Sequence, residues 1–382
     1  MRRRDLIIFF SIFFTLYGLL NFYIFSHGWS ALAAHPEVQP WYIALFLFVA
    51  LAWIAGRFLE RKRITIFSSA LIWLGSYWLA AMVYFLLVVA LLDLIRFVDA
   101  LVSFLPARVF DSDTLFTLLQ ASVIIVAIVV VAGALNARTP RITRLHFSIN
   151  KKGNGLRSLR IAAASDIHLG TIICKKRLES IVAKINALNA DIVLLPGDVV
   201  DEDIGPVVKQ NLGETLRRIT AKYGVYAVTG NHEYIGGVEQ ACAYLTEHGI
   251  TMLRDAATVV AKSVLLVGRE DISYNRGNRR RKPLSELLNG CDRSLPIILM
   301  DHQPFRLHEA EEQGVDLQLS GHTHHGQLFP FNVITERVFE VSRGYKKKGN
   351  THVYVSCGVG TWGPPVRIGN RPEILDITLT FA

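Results

Sequence analysis

Aspartate, asparagine and histidine recur in short motifs through the C-terminal part of the chain. They are Asp166-Ile167-His168, Gly197-Asp198-Val199-Val200-Asp201, Gly230-Asn231-His232-Glu233, Asp301-His302 and Gly321-His322-Thr323-His324-His325. Asp166, Asp198 and Asn231 follow one another at intervals of 32 and 33 residues. Carboxylate and amide oxygens mixed with imidazoles suit Mn²⁺, Fe, Zn²⁺, Co²⁺ or Ni²⁺ better than Ca²⁺ or Mg²⁺. Three such oxygens and four imidazoles (His168, His302, His322, His324) are too many for one ion. They match two ions about 3.5–4 Å apart that share one carboxylate, the arrangement of two-metal phosphoester hydrolysis. Each motif alone has an ordinary reading: a turn with a surface histidine, a strand-end turn, a capped helix start, a chance cluster. Their order and spacing argue for one site.

Such a site needs elements that deliver each motif to one place. Leu159–Ala164, Asp191–Leu195, Gly224–Val228, Pro296–Leu299 and Val315–Leu319 are short apolar runs bounded by Gly, Pro or polar clusters, and they read as buried strands. Each motif follows the end of one of them. Lys176–Leu188 carries Leu178, Ile181, Val182, Ile185 and Leu188 at helical spacing, and further helices are expected around Val207–Ile219 and Val238–His248. Thr351–Val355 and Glu373–Thr380 read as closing strands. Alternating elements predict an α/β layered domain, whose ligands bind at the C-terminal edge of the strands. Glycines 197, 230 and 321 are expected to let the backbone turn sharply there.

The 382 residues are 51% hydrophobic and 19% charged, which excludes disorder, a coiled coil and a small disulfide scaffold. Residues 1–144 hold twelve Lys/Arg and seven Asp/Glu; residues 145–382 hold twenty-nine and twenty-five. The net +9 thus splits into +5 and +4, and the first part is otherwise largely apolar. Leu6–Phe25, Trp41–Gly56, Ile64–Leu92 and Leu115–Leu135 are read as four membrane spans; the first and fourth fit the roughly 20 residues that a bilayer needs, and the third is longer, so it would tilt or continue into the interface. The second is short, and a buried soluble helix pair is its bland alternative. Arg2, Arg3 and Arg4, then Arg57, Arg61, Lys62 and Arg63, then Arg138, Arg141 and Arg144 flank one side of these spans. The loop Ser26–Pro40 has no Lys or Arg, and the loop after the third span has only Arg96 and Arg108 among four aspartates. The positive-inside rule therefore predicts both termini in the cytoplasm. Cleavage near Ala31-Leu32-Ala33 would leave that topology unchanged. Asp93 and Arg96 are placed at a span end, so the half reads as an anchor and not a transporter. The four cysteines, Cys174, Cys242, Cys291 and Cys357, lack CxxC spacing and are expected to be reduced thiols.

The ordered motifs resemble the calcineurin-like metallophosphoesterase superfamily, whose pattern is DxH, GDxxD, GNH[DE], a lone His, then GHxH. The resemblance covers about residues 158–381. The closing stretch Gly358-Val359-Gly360-Thr361-Trp362-Gly363-Pro364-Pro365-Val366-Arg367, with Arg371-Pro372-Glu373-Ile374, resembles a membrane-attached bacterial branch of it. That branch includes a cell-wall-associated phosphoesterase and a UDP-diacylglucosamine pyrophosphatase. The resemblance implies a four-layer α/β/β/α metallophosphoesterase sandwich of two packed sheets flanked by helices, here after an α-helical transmembrane anchor. Residues 1–144 would form the four-helix anchor and residues 145–382 a cytoplasmic domain. It implies Asp166, His168 and His324 on one metal, Asn231, His302 and His322 on a second, and Asp198 bridging. Hydroxide generated on the metals would attack phosphorus in line. His232 resembles the family's non-ligand histidine and Asp201 its orienting carboxylate, a catalytic pair; the alternative makes Asp201 a helix cap. Related sequences often read GHTHGGQ, so His325 departs from the pattern, and solvent or substrate contact is expected for it over metal ligation.

The expected reaction is hydrolysis of a phosphodiester, pyrophosphate or phosphomonoester bond, with two divalent ions, manganese first. Tethering favours a membrane-associated, lipid-linked substrate; soluble nucleotides or phosphoproteins, or a non-catalytic binding module of the same fold, are the alternatives. Two basic clusters, Arg276–Lys282 and Lys346-Lys347-Lys348, are placed in loops as solvated faces or sites for anionic head groups. Nucleic acid is not expected as a partner, because the clusters lack interleaved aromatics.

Overall fold

Four long helices precede two β-sheets in this computed structural model, which describes residues 3–106, 109, 111–275 and 279–382. Arg2, Arg108 and Arg276 lie outside the described residues. The chain divides into two compact units, Met1–Gly133 and Ala134–Ala382.

The first unit is helical: α1 (Arg3–Ala31), α2 (Gln39–Lys62), α3 (Ile66–Val102) and α4 (Ser112–Ala137), the last crossing the unit boundary. All four contain stretches long and apolar enough to cross a membrane. Helix α2 continues through the sequence's short second stretch, with Arg57 paired to Glu60 at 3.1 Å. Helix α3 starts at a capping box between Thr65 and Ser68 and runs well past the expected end of the third span. Asp93 is therefore inside α3, not at its end. Its carboxylate accepts from Tyr23 Oη at 2.5 Å and lies 2.9 Å from His27 Nε2, so part of the first unit's packing is polar. Gly75 brings α3 against α2, where a Cβ would collide with the Trp53 backbone.

The second unit is built on two six-stranded sheets. The first runs in the order β1 (Arg141–Ile149), β12 (Glu373–Phe381), β2 (Ser158–Ala163), β3 (Ile192–Pro196), β4 (Val225–Val228), β5 (Ile250–Met252). The second runs β10 (Gly344–Lys348), β11 (Thr351–Val355), β9 (Leu317–Ser320), β8 (Ile297–Met300), β7 (Val264–Gly268), β6 (Ala256–Val260). Strands β2 to β5 are mutually parallel, as are β7, β8, β9 and β11. Alternate residues point to opposite faces of a strand, which is how these short runs supply two cores. Leu159, Ile161, Ile192 and Leu194 from one sheet and Leu266, Ile298, Leu317 and Leu319 from the other share a buried cluster, so the sheets pack face to face. On the opposite face of the second sheet, Leu265, Val267, Ile297 and Leu299 meet Leu284, Leu287 and Ala310 from the short helices α10 (Leu284–Leu287) and α11 (His308–Glu312). Helix α5 (Lys175–Asn186) buries Leu178, Ile181, Val182 and Ile185 in the β2–α5–β3 crossover. The result is the expected mixed α/β sandwich.

Two expectations change. The region Val207–Ile219 is not one helix but two short ones, α6 (Gly205–Lys209) and α7 (Leu212–Leu216), separated at Asn211, whose φ is +52°. Lys346, Lys347 and Lys348 lie on β10, an edge strand, not in a loop. Lysines on an edge are a common guard against intermolecular pairing. Five strands were not read from the sequence: β1, β5, β6, β7 and β10.

Candidate metal centre

The strands β2, β3, β4, β8 and β9 all end near one point, and the residues after each end form the centre. Asp166, His168 and His324 place one ligand atom each within 4.8 Å of the others. The same holds for Asp198, His302 and His322, and for His168, Asp198 and His232. His324 Nε2 is 3.0 Å from His168 Nε2 and 3.4 Å from Asp166 Oδ1. Asp198 Oδ2 lies 3.1 Å from His302 Nε2 and 3.9 Å from His168 Nε2, between the two groups. Asn231 Oδ1 is 2.7 Å from His322 Nδ1 and 3.3 Å from His302 Nε2.

The local backbone is strained to achieve this. Asp166, His168, Asp198, His322 and His324 all have φ between +45° and +71°. Left-handed geometry costs a non-glycine residue on the order of 1 kcal/mol or more, and such residues cluster at functional sites. Gly197 turns with φ +85°, as expected. Gly230 and Gly321 do not have positive φ. Their smallness serves close approach instead: a Cβ at Gly230 would collide with the Asp198 carboxylate, and one at Gly321 with that of Asp166.

Supporting contacts orient the donors. His302 Nδ1 donates to Pro196 O at 2.8 Å, an acceptor-only partner, which leaves Nε2 free to face Asp198. Glu233 accepts from the backbone N–H groups of Asp198, Val200 and Gly230 at 3.2, 2.9 and 2.7 Å, tying the second motif to the third. Asp198 Oδ1 accepts from His232 N at 2.9 Å. His232 Nδ1 is 2.9 Å from Asp201 Oδ1, so Asp201 meets the ring and not a helix end. Arg367, with no exposed surface, donates to His324 Nδ1 at 3.0 Å, to Gly360 O and to Asn370 Oδ1.

Charge is concentrated and buried. Burial pushes the Asp166 carboxyl above the usual range, and Asp198 adds to the push. Burial acts the same way on Asp198, but His302, His232 and His168 outweigh it and hold Asp198 well below. Burial, with His302 beside it, presses His322 down to about 4; burial, His168 and Arg367 hold His324 well below the usual range. These two rings are thus neutral, the form that binds metal. For His232, burial depresses the imidazole, yet Asp201 and Asp198 outweigh it and raise it to about 9. Asp166 Oδ2 and His168 Nδ1 are buried without hydrogen-bond partners. A buried carboxylate oxygen without a partner, Asp166 Oδ2, among converging carboxylates and imidazoles is what a divalent cation would satisfy. The donor set fits the two ions that the resemblance implies.

His325 goes elsewhere. It is buried, its Nδ1 is 2.9 Å from Ser342 Oγ and its Nε2 3.5 Å from Glu336 Oε1, so it neither faces solvent nor joins the ligand groups. Of the first basic cluster, Arg281 is not a solvated charge: its side chain is 7% exposed and Nη1 bonds Asp301 Oδ1 at 2.9 Å. Sequence reasoning missed the support given by Glu233, Arg367 and Gln327. Gln327 follows the last motif; its amide donates to Trp362 O at 3.0 Å and Pro364 O at 2.9 Å. That holds Trp362 at the rim, half-exposed, its ring 6.2 Å from that of His232. The glycine-dense stretch Gly358–Arg367 was the available signal of a tight loop.

The profile of the calcineurin-like phosphoesterase family matches residues 159–326. A protein of Danio rerio called "Transmembrane protein with metallophosphoesterase domain" is 34% identical over 274 residues, 68% of this chain and 62% of its own length. An "Uncharacterized metallophosphoesterase" of Helicobacter pylori strain J99 is 34% identical over 225 residues, covering 58% and 60%. One of the same description from Aquifex aeolicus is 34% identical over 224 residues, covering 58% of this chain and 85% of its own. The match spans about three-fifths of the first two relatives.

Proposed function

This chain belongs to the calcineurin-like phosphoesterase family, and from that premise we propose that it is a membrane-anchored, two-metal phosphoesterase acting on a membrane-associated substrate. The single observation that supports it best is the position of Asp198 Oδ2, 3.1 Å from His302 Nε2 and 3.9 Å from His168 Nε2, where one carboxylate can serve two ions. Asp166, His168 and His324 would hold one cation, Asn231, His302 and His322 the other. Two divalent cations, manganese first and Zn²⁺, Fe, Co²⁺ or Ni²⁺ as substitutes, would supply positive charge for phosphoryl oxygens and lower the pKa of water.

The chain's own groups do the rest. His232, kept protonated by Asp201, holds a proton beside the reacting phosphoryl group, where it can stabilise developing oxygen charge or protonate the leaving oxygen. Asp201 positions that ring through Nδ1 and so directs Nε2 outward. Glu233 and Arg367 keep the ligand loops in register against the strain in their backbones. Burial of Asp166, Asp198, His168, His302 and His324 keeps bulk water from these groups, which strengthens their electrostatics.

Four helices apolar enough to cross a membrane support attachment to a bilayer, and the distribution of basic residues supports a multi-pass protein of the cell membrane with this domain in the cytoplasm. Membrane lipids are then its neighbours and a lipid-linked phosphoester or pyrophosphate its first-choice substrate. The test compares a nucleotide-linked lipid in mixed micelles with the free nucleotide, using detergent-purified full chain and Mn²⁺. The proposal expects kcat/KM at least tenfold higher for the lipid form. Equal values for both would replace it with the soluble-substrate reading.

A further inference from the structure

Large apolar side chains are exposed around the mouth of the metal centre. Within 134–382, the described residues with substantially exposed large apolar side chains are Leu135, Val208, Ile235, Val259, Phe329, Phe331, Ile334, Val338, Tyr345 and Trp362. Half of them belong to two segments that adjoin the last metal motif. Phe329, Phe331, Ile334 and Val338 are 50%, 40%, 57% and 57% exposed and lie on or just before helix α12 (Asn332–Val338), which buries no residue. Trp362 is 48% exposed beside His232.

This rim is fixed to the site. A Cβ on Gly326 would collide with the backbone of Phe331 and Asn332, so the chain leaves the histidine motif directly into the apolar segment. Phe339, the residue after α12, has its ring 5.8 Å from that of His322. Ser342 Oγ is 2.9 Å from both His325 Nδ1 and Thr335 Oγ1, pinning α12 from its other side. The surroundings are basic: residues 332–348 hold five Lys/Arg against two Glu, a net +3.

We propose that this rim is a docking surface for the interfacial layer of an anionic lipid bilayer. The partner is argued from two observations: the chain carries four helices of membrane-crossing length and hydropathy, and the basic surroundings complement anionic head groups. A side-on contact of this kind seats aromatic and aliphatic side chains among head groups while Arg and Lys meet lipid phosphates. It rests on the reading of the helices as an anchor, and it would set the metal centre where phosphoryl groups of lipids lie.

The test is photolabelling of the full chain in nanodiscs of three parts phosphatidylcholine to one part phosphatidylglycerol, the latter carrying a head-group-proximal diazirine. Labelled peptides are mapped by mass spectrometry in the wild type and in the double variant Ile334→Glu, Val338→Glu, both exposed positions outside the metal ligands. The expected result is labelling of 329–338 and 362, reduced at least fivefold in the variant, with labelling of the four helices and the melting temperature unchanged. Label confined to the four helices, including a case where a second copy of the chain covers the rim, would overturn the inference, as would equal rim labelling in both proteins. Turnover is measured separately on the same preparation, so a protein that labels at the rim but shows no hydrolysis would sink the catalytic reading and leave the docking surface standing.

Discussion

The imidazole of His232 and the carboxylate of Asp201 meet at 2.9 Å, and Asp201 lies 3.6 Å from His168 Nδ1 through the same oxygen. One carboxylate thus links the ring that can move a proton to a ring that would hold a metal. The burial of His232 alone would keep it neutral at pH 7; its partners reverse that and raise it to about 9. The imidazolium–carboxylate pair therefore contributes stability that is complete below about 6.5, the usual histidine value, and lost as pH rises through about 9.

Replacing Asp201 by Asn removes the first of the interactions that raise the ring. In chelator-treated protein, histidine NMR should show the His232 titration moving from near 9 to a clearly lower pH in Asp201→Asn. With metal restored, kcat should fall about 10²–10⁴-fold in His232→Ala, the usual worth of a positioned proton donor, while metal content is retained. An unchanged titration in Asp201→Asn would remove the positioning role.

Gly230→Ala tests close approach against backbone freedom. The new methyl would collide with the Asp198 carboxylate, although the φ of −114° suits any residue. The expected outcome is at least one equivalent of metal lost by elemental analysis, with far-ultraviolet circular dichroism unchanged. Full metal content in Gly230→Ala would show that the Asp198 loop yields, and that the packing explanation of this glycine is wrong.

Leu194, wholly buried in β3 between the two sheets, tests the fold apart from the site. Leu194→Ala should cost about 2–5 kcal/mol through lost burial and a partly unfilled cavity. Differential scanning fluorimetry would read this as a lowered unfolding temperature of the second unit. A shift within error of wild type would mean that the sheets repack or that this cluster matters little.

Much of the site was legible because its donors are local in sequence. Asp166 and His168 are two residues apart, His322 and His324 likewise, and each pair follows an apolar run that could be read as a strand. The supporting groups were not legible in this way. Arg367 is buried only because Gly358–Gly360 returns to the loop of Asp166, with Gly360 N bonding Asp166 O at 2.9 Å. Strand β1 pairs with β12 across most of the domain, Arg141 opposite Glu373, and its arginines Arg141 and Arg144 were read as basic residues flanking the fourth span. The lysines of β10 hid an edge strand because charge on an edge and charge in a loop look alike along the chain. His325 sits in the same motif as two metal-facing histidines, yet faces Ser342; local sequence does not distinguish the directions of adjacent side chains in a tight turn.

The central claim is that Asp198 serves two metals in a hydrolytic site. It is tested most directly by turnover of bis(p-nitrophenyl) phosphate by detergent-purified full chain with Mn²⁺, with and without chelator, beside Asp198→Asn. The expected result is turnover that chelator abolishes and Mn²⁺ restores, with at least a hundredfold loss in the variant and lower metal content by elemental analysis. Equal, chelator-insensitive rates in wild type and Asp198→Asn would contradict it.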